Sequence, residues 1–457
     1  MAEHTVSLVK SLKKLLDDKK YQTLKDILTT MNGADIAAVF EDMDEERTPL
    51  LFRLLPKELA AETFAELSPE LQEHLIRGFS DKELREVVSE LYVDDAADLV
   101  EEMPASVVKR ILAQADPEMR REINEILRYP ENSAGSIMTT EYVSLRPSIT
   151  IAEALQRIRR TGVDKETIYT CYVTEERRLI GTVSVKDMLL APDENTPVSE
   201  IMDENVISVN TLTDQEEVAQ MLAKYNFLAL PVVDNDKRMV GIVTFDDAID
   251  VLVEETTEDI EKMAGMLPSE KTYLRSTPWD LFKHRIPWLL LLMVSATFTG
   301  MIITGFESAL AAQVVLTAFI PMLMDTGGNS GSQASVTVIR ALSLGELDLS
   351  DLPRVVWKEI QTAVLCGVAL ATLCFVKIMV FDRLVLGNSD ITVMTAFVVC
   401  LTMAVTVLVA KIVGCTLPLV AKKMGFDPAV MASPFITTIV DALSLLVYFG
   451  IANALLF

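Results

Sequence analysis

The sequence predicts a multi-domain protein in which a cytosolic α-helical superhelix and a pair of α+β modules precede an all-α bundle of five transmembrane helices. Three observations predict this fold class. Apolar runs dominate the chain from His284 onward, charged residues dominate everything before it, and one pattern of strands and helices occurs twice between Ala134 and Leu252. A chain of 457 residues is also too long for one compact core.

The charge is divided as sharply as the apolar residues. From Lys283 to the end, ten acidic residues balance ten basic ones, so the whole net charge of -25 belongs to the residues before it. Such an acidic surface repels phosphate backbones and attracts cations. Nucleic acid is therefore not an expected partner. The cysteines show no zinc-finger or disulfide spacing, and the first twenty residues do not read as a signal peptide.

Residues 1–131 are predicted to form a superhelix of short helices. Apolar residues recur at three and four positions between charged ones, as on amphipathic helices. Leu54-Leu55-Pro56 and Glu102-Met103-Pro104 resemble two copies of one join, and Ser68-Pro69 and Asp116-Pro117 open the helices that follow. Short helices repeated in this way predict a stacked array.

Residues 132–250 contain one motif twice, in about 134–195 and 196–250. Each copy is predicted to contain a strand, a helix, two strands and a second helix. Leu179 to Asp187 and Met239 to Asp247 share a glycine turn, a β-branched strand, a hydroxyl residue and a final aspartate. This duplication resembles a tandem pair of cystathionine-β-synthase (CBS) modules.

The CBS resemblance implies that ATP or another adenine nucleotide binds in the clefts of the pair. Asp187 and Asp247 match the ribose-binding aspartate of that family, and Phe227 is assigned to the same nucleotide site. Capping of the following helix explains each aspartate equally well, so this alternative stays open.

Residues 279–457 contain five apolar stretches, each of which reaches the roughly 20 residues that a membrane-spanning helix needs. They are about Ile286 to Phe306, Leu310 to Leu342, Val355 to Val380, Ile391 to Val420 and Ala429 to Leu456. Lys and Arg cluster before the first stretch, between the second and third, and between the fourth and fifth. This bias predicts a multi-pass protein of the cytoplasmic (inner) membrane with a cytosolic N-terminus and an outside C-terminus.

Two of these stretches contain polar residues where lipid-facing sequence should be apolar. They are Asp325, Asn329 and Gln333 in the second stretch, and Thr438 and Asp441 in the fifth. If Asp427-Pro428-Ala429 opens the last helix, Asp441 stands roughly 18 Å along it at 1.5 Å per residue. A carboxylate at that depth costs about 2.5 to 3.5 kcal/mol on insertion scales, so it is expected to face a partner or a watery path.

Structural roles for these polar residues remain open from the sequence. Asp441 has an alternative partner in Lys411 or in a neighbouring hydroxyl. Asn329, Gln333 and Thr438 are suited to lining an ion path with neutral oxygens, but polar side chains in bundles also bond helix to helix.

A single acidic helix is predicted from Phe245 to Ser269, with Lys262 as the one base close to its acidic stripe. The stripe consists of Asp247, Asp250, Glu254, Glu255, Glu258, Asp259 and Glu261. Like charges at this spacing destabilise an isolated helix by roughly 0.2 to 0.5 kcal/mol per pair, so a cation is expected to neutralise them. A solvated acidic face is the alternative. A second acidic group on the superhelix also needs a cation, and it consists of Asp94, Asp95, Asp98, Glu101 and Glu102.

The order of these segments resembles the MgtE family of Mg2+ transport proteins. The resemblance rests on Gly328 to Gln333 and on Asp427-Pro428-Ala429 with the later Asp441, and it covers nearly the whole chain. It implies a homodimer in the lipid bilayer, a passive Mg2+ path with Asp441 holding the hydrated ion, and no enzyme activity. Asp325 is assigned to the pore lining with its role open.

The same resemblance implies that Mg2+ binds the acidic segments and closes the pore through the connecting helix, in residues 251–278. The matching metal ligands are Asp94, Asp98, Asp247, Asp250, Glu255, Glu258 and Asp259. Asn226 stands where some members have an acidic ligand.

Two other functions compete with this hypothesis. One is a CBS-regulated carrier of Co2+, Ni2+ or an organic ion, and the other is a membrane sensor that transports nothing. The histidines are His4, His74 and His284, none of them in a predicted span, which disfavours a path for soft metals. An intramembrane Asp441 disfavours a mere anchor. The chain contains neither a Walker loop nor a His-Glu-x-x-His motif.

Overall fold

The computed structural model describes residues 2–269, 273, 276–388, 390–431 and 433–456. The chain divides into two compact units, Met1–Leu252 and Val253–Phe457. Part of the predicted 251–278 linker falls on residues outside the described ranges.

The first part of unit 1 is a stack of short helices. Their bounds are α1 Ala2–Asp17, α2 Tyr21–Leu28, α3 Gly33–Glu41, α4 Thr48–Phe52, α5 Lys57–Ala65, α6 Pro69–Gly78, α7 Asp81–Val88, α8 Val93–Glu102, α9 Ala105–Gln114 and α10 Pro117–Ile126. As predicted, Pro69 and Pro117 begin their helices, where a missing N–H costs no hydrogen bond. Neighbours alternate along the stack, with α3 on α5, α5 on α7 and α7 on α9. One apolar core joins them, and it includes the fully buried rings of Phe40 and Phe64.

The second part of unit 1 contains the predicted duplication. The first copy comprises β1 Ser144–Leu145, α11 Ile151–Thr161, β2 Thr170–Glu175, β3 Arg178–Ser184 and α12 Val185–Leu190. The second comprises β4 Val209–Asn210, α13 Gln215–Tyr225, β5 Ala229–Val233, β6 Met239–Thr244 and the first turns of α14 Phe245–Met263, whose residues from Val253 onward belong to unit 2. In each copy the first strand runs parallel to the second, and the second runs antiparallel to the third. The predicted order of strands and helices is therefore confirmed.

The two copies exchange their leading segments. Thr139, in the segment of the first copy that precedes β1, pairs with Ile242 on β6, and Asp203, in the segment of the second copy that precedes β4, pairs with Thr182 on β3. Glycine permits this close approach, because a Cβ on Gly241 would lie 2.6 Å from the carbonyl oxygen of Thr139. Each sheet thus gains a neighbour that belongs to the other copy.

The acidic helix ends earlier than predicted. The sequence pattern indicated a helix from Phe245 to Ser269, whereas α14 ends at Met263. Gly265 has a φ of +71°, a left-handed conformation that glycine adopts without steric cost. The amide of Met266 donates to the carbonyl oxygen of Glu261, which closes the last turn behind that glycine.

Unit 2 is helical. Its helices are α15 Pro278–Gly305, α16 Glu307–Ala312, α17 Ile320–Ser343, α18 Leu352–Val376, α19 Val393–Lys423 and α20 Ser433–Leu456. A π-helical stretch, Lys377–Val385, extends α18. In the described residues, four segments are long and apolar enough to cross a membrane, namely Pro278–Gly305, Leu349–Val385, Val393–Lys423 and Pro428–Leu456. The predicted second span, α17, is not among them; its run of glycine, serine and amide residues makes it the least apolar of the five stretches.

Although it is less apolar, α17 lies against both α19 and α20. Glycines bring these helices close together, because a Cβ on Gly414 of α19 would overlap the carbonyl oxygen of Gly331 on α17. A Cβ on Gly327 would likewise lie 2.7 Å from the Thr406 methyl group. Small residues at helix contacts are typical of membrane bundles.

The last helix begins later than expected. Pro428–Met431 forms a separate 3-10 turn, and α20 starts at Ser433. The expectation that Asp427-Pro428-Ala429 opens the helix itself is wrong, because Asp427 accepts a hydrogen bond from the Ala429 amide at 2.7 Å and caps only this short turn. Asp441 therefore stands eight residues into α20, which is about 12 Å at 1.5 Å per residue and less than predicted.

Candidate ion path and acidic cluster

Asp441 is a half-buried carboxylate on α20. In the described part of the chain, the charge that acts on it is the Asp325 carboxylate of α17. Thr438, one turn before it, donates its hydroxyl hydrogen to the Pro434 carbonyl oxygen at 3.1 Å. The Thr438 hydroxyl thus has a backbone partner within its own helix, and this bond is not the helix-to-helix bond that the structural alternative proposed.

The predicted polar residues of α17 share one face. Asp325, Asn329 and Gln333 are exposed side chains that recur every four residues, and the opposite face, with Gly327 and Gly331, is buried. The Asn329 amide nitrogen donates to Asp325 Oδ1 at 3.0 Å. A stripe of this kind inside a membrane requires water or another protein surface beside it, because hydrocarbon offers no hydrogen-bond partners.

Lys411 does not pair with Asp441. Its Nζ lies 3.3 Å from Glu359 Oε2 on α18, and the two side chains are only 6% and 16% exposed. The sequence-based alternative that made Lys411 the structural partner of Asp441 is therefore wrong. Lys411 is therefore not the base that neutralises the Asp441 carboxylate.

A second group of carboxylates lines a cavity of about 260 Å³ within unit 1. Its acidic members are Glu62, Glu66, Glu90, Asp94, Asp95, Glu166, Asp246 and Asp247. They come from the helical stack, from the first CBS copy and from the start of α14, so the fold brings together acids that lie far apart in sequence. The predicted ligands Asp94 and Asp247 meet here, whereas Asp95 and Glu166 were not among the predicted ligands.

The electrostatics of this cluster favour a cation. Burial, followed by the charge of Asp247, raises the pKa of Glu166 to about 8, and the same causes raise that of Asp98, which neighbours the cluster on α8, to about 8. The same causes raise the pKa of Asp95 to about 7 and hold the pKa of the buried Asp94 well above its ordinary value. Carboxyl groups that retain protons near neutral pH for this reason lose them when a cation arrives.

Asp247 belongs to two arrangements at once. It accepts a hydrogen bond from Thr244 Oγ1 at the start of α14, and burial raises its pKa to about 6. The equivalent Asp187 accepts from Ser184 Oγ at 2.6 Å, and its amide donates back to Ser184 Oγ at 3.0 Å. The capping alternative is thus realised for both aspartates, and for Asp247 it coexists with membership of the acidic cluster.

Phe227 and Asn226 lie at the end of α13. The Phe227 ring stacks on Tyr225 with centroids 5.5 Å apart. Asn226 is the C-cap of α13 with a φ of +53°, a left-handed position for which asparagine is well suited. Asn226 thus has a backbone role at this helix end.

The acidic stripe of α14 is divided between the units. Burial, followed by the charge of Asp246, raises the pKa of Asp250 in unit 1. In unit 2, Glu258 lies 2.6 Å from Lys262, and Asp259 accepts a hydrogen bond from Ser343 at the end of α17 at 3.0 Å. Glu255 is half-buried in the same part of the helix.

Among the described residues, no three carboxylate, imidazole or thiol groups converge closely enough to hold one bare metal ion. The acidic cavity is instead roomy and lined by oxygen donors. Mg2+ prefers oxygen ligands, dehydrates reluctantly and usually keeps several waters, so the donor set fits a hydrated Mg2+ ion.

Together these features define a membrane protein with a carboxylate inside its helix bundle and a helical stack and tandem CBS pair in its first unit. Family models match all of these parts: a divalent cation transporter model over residues 320–451, an MgtE intracellular N domain over 31–132, and CBS domains over 134–194 and 198–254. The magnesium transporter MgtE of Thermus thermophilus is 38% identical over 454 residues, which is 98% of each chain. That of Bacillus subtilis is 32% identical over 96% of this chain and 95% of its own. The chain belongs to the MgtE family.

Solved structures resemble a little over half of the chain. The cytosolic domain of the Mg2+ channel MgtE in complex with ATP is 40% identical, with a TM-score of 0.51, and covers 53% of this chain and 99% of its own. The soluble part of a magnesium transporter is 30% identical, with the same TM-score of 0.51, and covers 55% and 99%. The superhelix and CBS pair expected from the sequence thus have solved relatives.

Proposed function

We propose that this protein is a Mg2+-selective channel or transporter of the cytoplasmic membrane, with passive flow that intracellular Mg2+ shuts off. The observation that carries the proposal is Asp441, a carboxylate inside the helix bundle. Lys411, one of the two structural partners considered as an alternative to an ion path, is bound to Glu359 instead. A charged group at such a place is retained for a functional reason by default.

The polar face of α17 supports an ion path next to Asp441. We assign α17 as a fifth span, with Asp325, Asn329 and Gln333 lining the path together with Thr438. A homodimer places a second copy of this face opposite the first, which supplies the second protein surface that the stripe requires. One carboxylate from each chain then holds Mg2+ through its water shell.

We assign four functional segments: the superhelix at 1–131, the CBS pair at 132–250, the connecting helix and linker at 251–278, and the transmembrane domain at 279–457. The distribution of Lys and Arg supports a cytosolic N-terminus and an outside C-terminus. ATP is the nucleotide proposed for the CBS clefts, with Asp187, Asp247 and Phe227 in contact, because a solved relative of this part is in complex with ATP.

Closure by Mg2+ is assigned to the acidic groups. Asp94 and Asp247 belong to the cluster of unit 1. Asp98 lies close enough for the charge of Asp247 to act on it, Asp250 lies nearby on α14, and Glu255, Glu258 and Asp259 follow on the next turns. Ions that bind only the arrangement in which these acids are close together shift the population toward it. Several weak sites are needed, since moving an equilibrium from 1:99 to 99:1 takes about 5.5 kcal/mol.

The test is rescue of a bacterial strain that depends on added magnesium because it lacks its own uptake systems. We expect rescue by the intact gene and by the matched control Asp390→Asn, which alters an exposed loop carboxylate. Asp441→Asn is expected to fail at equal protein levels in the membrane. Rescue by Asp441→Asn would remove Asp441 from ion handling, and failure of the intact gene would contradict Mg2+ transport.

A further inference from the structure

Lys262 forms ion pairs that link the second half of α14 to the loop before α20, both in unit 2. Lys262 Nζ lies 2.6 Å from Glu258 Oε1 on its own helix and 2.6 Å from Asp427 Oδ2 in the loop before α20. The Lys262 and Asp427 side chains are 22% and 33% exposed, so water screens this bridge only in part. One ammonium group therefore neutralises two carboxylates that belong to different elements.

Other contacts hold the same part of α14. Met263 packs against Ile339 of α17 and Ala429 of the turn before α20. Asp259 accepts its hydrogen bond from Ser343, at the C-terminal end of α17. The end of α14 thus contacts α17 and the turn that leads into α20, the two helices of the proposed ion path, and Lys262 makes the charged contact.

Without the lysine, this contact would be repulsive. Glu258, Asp259 and Asp427 would then bring three negative charges together. Burial raises the pKa of Asp259, and the Asp427 and Glu258 carboxylates add to that rise while Lys262 opposes it. The charge of Lys262 is thus what makes the close approach of these acids favourable in the absence of any other cation.

We propose that Lys262 is a built-in latch that holds the end of α14 against the loop before α20 when no divalent cation is bound. The inference rests on the proposed closure through α14 and adds to it. Part of the closed arrangement is then independent of Mg2+, and Mg2+ adds to a contact that the chain already makes with its own ammonium group.

The test is amide hydrogen exchange of residues 253–266 in the full-length protein in lipid nanodiscs, with EDTA or with Mg2+. In EDTA, Lys262→Gln is expected to raise the exchange rate of this segment by about five-fold or more, because the substitution removes two ion pairs that water screens only in part. Lys262→Arg keeps the charge and should retain protection. Lys423→Gln, which removes an exposed lysine of the same unit, should leave the exchange unchanged.

Equal exchange of Lys262→Gln and the unaltered protein in EDTA would overturn the latch. Added Mg2+ is expected to restore protection in Lys262→Gln, because the neutral variant leaves Glu258 and Asp259 to the metal ion. If protection falls in EDTA but Mg2+ does not restore it, the latch stands and the proposed closure by Mg2+ is the part that fails.

Discussion

Lys411 is a charged side chain inside the helix bundle, and the identity of its partner decides its role. It pairs with Glu359 at 3.3 Å, with both side chains largely removed from solvent. A buried ion pair is not strong evidence of stabilisation as a pair, but removing one member leaves a buried charge unpaired. The pair therefore limits the substitutions that α18 and α19 can accept at this contact.

We predict that Lys411→Met lowers the stability of the detergent-solubilised protein by about 3 to 5 kcal/mol, because Glu359 is left uncompensated. The double variant Lys411→Met with Glu359→Gln is expected to recover most of that loss. Thermal unfolding of both variants provides the measurement. A double variant no more stable than Lys411→Met alone would show that the ion pair is not the reason for the loss.

At the residue scale, the sequence identified the unusual side chains better than their partners. Asp441, Asp325 and Lys411 stand out as charges in apolar runs, which needs no structure to see. Their pairing depends on how helices far apart in the chain are packed, as with Lys411 and Glu359, which are 52 positions apart. For the same reason Glu166 was missed in the acidic cavity, since it is an ordinary surface acid until the fold places it beside Asp94.

At the scale of elements, the contact of α17 with α19 depends on glycine. Gly414 approaches the Gly331 backbone so closely that no side chain fits, whereas a Cβ added to Gly300 on α15 would meet no atom within 4 Å. Alanine at Gly414 would clash with α17, whereas alanine at Gly300 would change only the helix propensity of α15. Comparing the two substitutions therefore separates the effect of packing from the general effect of alanine on a helix.

We predict that Gly414→Ala destabilises the bundle by about 1 to 3 kcal/mol, the usual cost of overpacking. Gly300→Ala is the matched control and should be neutral or slightly stabilising, since alanine favours helix over glycine by up to about 1 kcal/mol. Thermal unfolding in the same detergent compares them. Equal effects of the two substitutions would contradict a special role for the glycine contact.

Helices and strands were predictable where the signal is local. Proline positions, alternating apolar residues and the internal repeat are contained in short windows, so the order of elements in unit 1 is correct. The end of α14 and the start of α20 were misplaced, because a left-handed Gly265 and a separate turn at Pro428–Met431 interrupt patterns that otherwise continue.

At the scale of the whole molecule, the acidic residues account for the entire net charge of -25 and lie before the transmembrane part. Self-repulsion on this scale opposes compact packing, and bound cations relieve it. The proposed closure by Mg2+ thus depends on the sum of many carboxylates rather than on one site.

We predict that neutralising Asp247, Asp250, Glu255 and Glu258 together leaves the protein open at high internal Mg2+, because too little differential binding remains to shift the equilibrium. Mg2+ currents from inside-out patches provide the measurement. The control neutralises four exposed acids of the superhelix, namely Glu45, Glu46, Glu58 and Glu118, and should close normally. Normal closure of the first variant would contradict the gating proposal.

The exchange of leading segments makes each CBS copy depend on the other. Thr139 forms a bridge to the sheet of the second copy, and Asp203 forms one to the sheet of the first. A copy expressed alone would lack this partner, and the edge of its sheet would be open to pairing with another chain. Removing either half of the pair would therefore expose an edge of the half that remains.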